Sequence, residues 1–164
     1  MAELKLIKMS DIQPEPVEWL WEPYIPRGAI SLIQGDGGTG KTTTALAIAA
    51  AVSRGDALPN GFNSEPASVI VQNAEDSYTR TIRPRLEQSG ADCSMIEVID
   101  EDEQALSLSD GRIEDAIART GAKLLIINTL KQEWATLNSE KKNLYRGYHE
   151  LKDRRTNLGN AKAI

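Results

Sequence analysis

Apolar residues gather in four short runs over the first 128 positions, and each run stops at turn-forming or polar residues. The first, residues 29–34, sets Ile30, Leu32 and Ile33 between Gly28 and Gly35 and predicts a buried strand. Residues 42–53 are rich in Ala, Leu and Ile and predict a helix closed by Gly55. The second run, 68–72, leads to a helical stretch over about 77–88 that stops at Gly90. The third, 95–99, ends in the acid cluster of residues 100–103. Ser109 is placed to cap a helix over 111–119, and Gly121 closes that helix before the fourth run, 123–127. Four strands alternating with helices imply an α/β fold, its sheet mainly parallel with helices on both faces.

The pattern differs at both ends. Residues 14–26 hold Pro14, Pro16, Pro23 and Pro26 together with Trp19 and Trp21, which suits an extended strap whose aromatics pack on a neighbour. From Leu130 onward, Trp134, Leu137, Lys141, Leu144, Tyr148, Leu151, Arg155 and Leu158 recur at alternating spacings of four and three, a heptad seam interrupted by charge. The seam predicts a long helix. It serves either as a surface helix packed on its own sheet or as a helix seeking a partner chain. The chain therefore divides into a strap (1–28), a core (29–128) and a basic helical tail (129–164).

Composition narrows the function. The 164 residues, 40% hydrophobic and 26% charged, fit one soluble domain, and no apolar run approaches the ~20 residues of a membrane helix. The first ten residues lack the layout of a secretory signal, so the cytoplasm is the expected compartment. Cys93 and His149 are each single, which excludes an intrachain disulfide and a Cys/His metal cluster and leaves oxygen to hold any metal. Residues 1–128 carry 11 Lys and Arg against 20 Asp and Glu, whereas 129–164 carry 8 against 4. An acidic body argues against a broad duplex-binding surface.

Gly35-Asp36-Gly37-Gly38-Thr39-Gly40-Lys41-Thr42 matches the P-loop pattern G-x-x-x-x-G-K-[ST] in full, between a predicted strand and a predicted helix. The glycines let successive backbone amides turn toward phosphate oxygens, and the helix beginning near Lys41 adds its positive end. Lys41 is the candidate ligand of the β and γ phosphates, Thr42 the candidate magnesium ligand, and Thr43 the next residue of the phosphate-binding run. The alternative is a glycine-rich turn with an accidental lysine. ATP with Mg²⁺ is the expected cofactor pair. Phosphoryl transfer to water also needs carboxylates at strand ends. Glu75 and Asp76 follow the second run and offer them, the bland alternative for Glu75 being a solvated loop acid. The fourth run ends in Asn128, which can coordinate through oxygen but brings no negative charge.

Trp19-Leu20-Trp21-Glu22-Pro23-Tyr24-Ile25-Pro26-Arg27-Gly28, the P-loop, Asn73-Ala74-Glu75-Asp76-Ser77, Thr81-Ile82-Arg83-Pro84-Arg85-Leu86-Glu87 and Leu124-Leu125-Ile126-Ile127-Asn128 together resemble the RecA-like ATPases of phage and plasmid replication. These form a helicase-type group often labelled AAA-family ATPases and related to the plasmid replicative helicase RepA. The resemblance covers about residues 10–128 and implies a RecA-like P-loop NTPase core. It implies that Glu75 is the water-activating base. It also implies an acid followed by proline at the end of the fourth run, where this chain has Asn128-Thr129. The family's later strands have no counterpart, so the chain is expected to be an incomplete core joined to an unrelated tail.

Three functions follow as expectations. The first is a MgATP-hydrolysing ATPase of the replication and helicase class, with Lys41 and Glu75 catalytic. The second, favoured by Asn128, is a nucleotide-binding remnant without turnover that self-associates through its tail. A small P-loop kinase ranks last, for lack of a basic lid. Expected partners are the triphosphate, a second copy of the chain, and single-stranded DNA touched by the basic tail.

Overall fold

The computed structural model describes residues 5–61, 65–101, 106 and 110–128. The expected helical tail, the Ser109 cap and acids Asp102 and Glu103 lie outside the described residues. The strap folds as a small hairpin, with β1 (Trp19–Trp21) antiparallel to β2 (Ile25–Pro26). Leu20 is buried at the hairpin's centre, and Trp21 packs against the core while its indole N–H donates to the Pro59 carbonyl at 3.0 Å. The Trp21 and Tyr24 rings lie 4.7 Å apart. Trp21 thus holds the strap down through its amphipathic ring, whereas Trp19 is only half-buried and is not among the residues packed on the core.

Among the described residues the main sheet has three strands in the order β4 (Ile96–Glu97), β3 (Val69–Asn73), β5 (Leu124–Asn128), and both pairings are parallel. β3 is central and buried at every position, which is why its residues read as a continuous apolar run rather than an alternation. Val69 and Val71 face the main core, where they meet Leu46, Ile48, Ala49 and Val52 of α1 (Lys41–Arg54) and Leu86 of α2 (Arg83–Gln88). Each of these Val, Leu and Ile side chains contributes roughly 1.5–3 kcal/mol when removed from water. Ile70 points to the opposite face, toward a groove lined also by Ala116 and Thr120 of α3 (Gly111–Thr120). Helices therefore cover both faces of the sheet.

The helix ends follow local chemistry. Gly55 and Gly121 adopt left-handed conformations at the C-termini of α1 and α3 and return their amides to the last turns. Asp110 caps α3, accepting from the Arg112 amide at 2.9 Å. The predicted helix over 77–88 opens instead as a π-helical turn at Tyr78–Ile82, and becomes α-helical only from Arg83, with Pro84 in its first turn.

One predicted strand does not form. Residues 29–34 lie on the surface without a strand partner, and Ile30, Leu32 and Ile33 are 47%, 62% and 47% exposed. A strand persists only where a neighbour takes up its amides and carbonyls. Among the described residues none does so here, nor does any pair with the outer edge of β5. Among the described residues the expected four-stranded alternation is thus a three-stranded sheet preceded by an unpaired apolar segment.

Candidate nucleotide-binding site

The loop between that segment and α1 turns on two left-handed glycines, Gly38 (φ +79°) and Gly40 (φ +85°), a conformation that disfavours side chains with a Cβ. Gly35 is needed for space, since a Cβ there would lie 3.0 Å from the Thr39 hydroxyl oxygen. That hydroxyl donates to the Asp36 carbonyl at 2.8 Å and closes the loop. Lys41 folds back so that its ammonium donates to the carbonyls of Gly35 at 2.8 Å and Asp36 at 2.7 Å.

α1 begins at Lys41, and its cap residue Gly40 has no side chain to offer. The first hydrogen bond within the helix runs from the Thr44 amide to the Gly40 carbonyl at 2.9 Å. The amides before it have no intrahelical partner, and the dipole of 14 aligned residues adds positive potential at the same end. Left-handed glycines, uncapped amides and a lysine cation together make an anion site suited to a polyphosphate. Residues 31–40 are exposed throughout, and the groove between β4 and α3 is lined by none of them. The loop is therefore open to solvent.

At the C-terminal edge of the sheet, Asn73 and Asn128 are register partners on adjacent parallel strands. The Asn128 amide group donates from Nδ2 to Asn73 Oδ1 at 2.7 Å. Asn73, only 5% exposed, donates in turn from Nδ2 to the Asp76 carbonyl at 2.8 Å, and its backbone N–H donates to the Tyr78 hydroxyl at 3.0 Å. Burial raises the Tyr78 pKa above its usual value, opposed by the bond from Asn73 and supported by the charge of Glu101. Glu75 sits in the turn so fixed, its side chain exposed and without a hydrogen bond among the described residues.

The structure thus gathers Glu75 and Asn128 at one edge, and α1 packs on both β3 and β5. No hydrogen bond among the described residues joins the P-loop to either residue. Asn73 and Tyr78 carry no recognised catalytic pattern, and the signal that could have found them is an amide at the last position of two strands read as parallel. Gln72 is a second such case. Its buried side chain accepts from the Ile99 amide, donates to the Ile99 carbonyl and bonds Glu101, extending the β3–β4 contact beyond the two paired residues.

Among the described residues no group of three His, Cys, Asp or Glu is placed to hold a cation by itself, so a metal at this site would draw most of its ligands from elsewhere. That fits magnesium, which commonly takes one or two protein ligands and completes its shell with phosphate and water. The metal candidates read from the sequence are Thr42, half-buried in the first turn of α1, and Asn128, whose Oδ1 has no protein hydrogen bond among the described residues.

A glycine-turned loop opening an uncapped helix, on an α/β body with a parallel sheet, defines an ATP-binding P-loop ATPase domain. A family model described as an AAA domain matches residues 3–154, so the chain belongs to that family. The match continues past Asn128 into the segment whose heptad pattern set it apart as a tail. Comparisons with curated proteins and with solved structures found no match. No described helix is long and apolar enough to cross a membrane.

Proposed function

We propose that this chain is a RecA-like ATPase of the replication and helicase-associated class, which binds MgATP at residues 35–43 and hydrolyses it with Glu75 as the base. The observation that carries the reading is the eight-residue loop with left-handed Gly38 and Gly40, delivering Lys41 at the start of an uncapped 14-residue helix. Amides of the loop and first helical turn hold the phosphates, and the Lys41 ammonium exchanges its loop carbonyls for β and γ oxygens. Thr42 and Asn128 would hold magnesium, which would offset phosphate charge. Glu75 takes a proton from the attacking water. Self-association and contact of the basic tail with single-stranded DNA belong to the same proposal.

The test is phosphate release from MgATP by the full chain, compared with Lys41→Ala and Glu75→Gln. Turnover that disappears in both variants supports the proposal, and wild-type turnover equal to theirs removes it.

A second reading is favoured by Asn128, whose Nδ2 is committed to Asn73 where the resemblance calls for an acid. On this reading the chain binds nucleotide without turnover. Saturable MgATP affinity without phosphate release selects it.

A further inference from the structure

The two asparagines at the sheet edge form a hydrogen-bond chain with a fixed direction: Asn128 Nδ2 to Asn73 Oδ1, then Asn73 Nδ2 to the Asp76 carbonyl. A backbone carbonyl can only accept, so it holds the Nδ2 end of Asn73 against itself. Asn73 must then present its oxygen to residue 128, and residue 128 must donate. An amide satisfies this demand; an ionised carboxylate cannot. An aspartate at 128 would bring one acceptor against another at the 2.7 Å the present pair occupies. Rotating the Asn73 amide to meet it would move the same conflict to the Asp76 carbonyl. Asn73 is too buried for water to relieve either arrangement at low cost.

The same bonds fix where the unused oxygen lies. With Nδ2 donating to Asn73, Oδ1 is the atom of Asn128 left to meet a cation. The Asp76 carbonyl is the far end of the turn that carries Glu75, so one buried amide holds both groups.

We propose that Asn73 is a positioning residue of the nucleotide site, selecting a neutral amide at 128, presenting Asn128 Oδ1 to the magnesium shell and tying it to the Glu75 turn. This rests on the MgATP reading above. It makes Asn128 an integrated part of the site rather than a worn-out acid, and implies that restoring aspartate alone damages the edge.

The experiment uses the full chain as wild type, Asn73→Ser, Asn128→Asp and the double variant, each melted without nucleotide and titrated with ATP in the presence and absence of Mg²⁺. A serine hydroxyl rotates to donate or accept and so suits an aspartate at 128. Asn128→Asp is expected to lower Tm by about 2–4 °C, and adding Asn73→Ser to recover at least half of that loss. Metal-free ATP affinity of Asn73→Ser is expected to lie within about twofold of wild type, while its gain on adding Mg²⁺ falls about tenfold, an increment of about 1.4 kcal/mol. Additive Tm losses, or an Mg²⁺ gain in Asn73→Ser equal to that of wild type, overturn the proposal. A wild-type chain without triphosphate affinity overturns the MgATP reading and the magnesium half of this one, and the nucleotide-free Tm cycle still decides the amide chain.

Discussion

The Lys41 ammonium lies 2.7 Å from the carbonyl oxygen of Asp36, inside the loop that Lys41 itself terminates. With the Gly35 carbonyl at 2.8 Å, this holds the cation over the loop before any anion arrives, so little side-chain ordering remains for binding. Lys41→Ala is expected to weaken MgATP binding at least about tenfold, since a charge-assisted hydrogen bond contributes about 1.5–3 kcal/mol. Gly35 and Asp36 are exposed, so Tm should hardly move. Calorimetric titration with parallel melting checks both, and an unchanged Kd would count against the site.

Backbone conformation gives an independent handle. Gly38 has open space around its Cβ position but a φ of +79°, so Gly38→Ala is strained by conformation alone, at about 1–2 kcal/mol. Gly35→Ala meets the Thr39 hydroxyl instead and should displace it from Asp36. Both variants are expected to lose about tenfold in ATP affinity. In Gly35→Ala alone, adding Thr39→Ala should return part of it, because only there is the obstacle a side chain.

Tyr78 supplies the acceptor for the buried Asn73 N–H. Tyr78→Phe leaves that donor unsatisfied and should cost about 1–3 kcal/mol, read as a lower Tm at neutral pH. Because burial raises its pKa, the folded state favours the protonated phenol. That contribution is fully present below the ordinary tyrosine value near pH 10 and is lost as pH rises through the raised folded value. The Tm gap between wild type and Tyr78→Phe should therefore narrow on the alkaline side, and a constant gap up to high pH would contradict the assignment.

The cap of α3 responds at the other end of the scale. The hydrogen bonds from Arg112, side chain first and then backbone, hold the Asp110 carboxyl below the usual carboxylate range. Its stabilisation is present above the unfolded value near 3.9 and disappears as pH falls through the lower folded one. Asp110→Ala should melt below wild type at pH 7, and the difference should close on acidification past that window. A difference that persists in strong acid would point to packing rather than charge.

The P-loop was legible because it is local. Gly38 and Gly40 are required by their own φ angles, Lys41 by its neighbours within the loop, and the end of α1 by Gly55. The strap's packing through Trp21, and β3 as a buried apolar run, were legible for the same reason: composition sets burial, and burial sets which side chains meet the core. Residues 29–34 carry an equally good strand pattern and still form no ladder, because pairing depends on a neighbour far away in sequence.

By itself, then, the sequence determined a phosphate-binding loop opening a helix, a parallel α/β body and an amide at position 128. Tertiary structure alone decided that Asn128 donates to Asn73, 55 positions earlier, and that Asn73 in turn holds the turn bearing Glu75. Such a bond arises only when strand register brings two strand ends side by side. Register is set by the packing of whole elements, not by the residues that meet there.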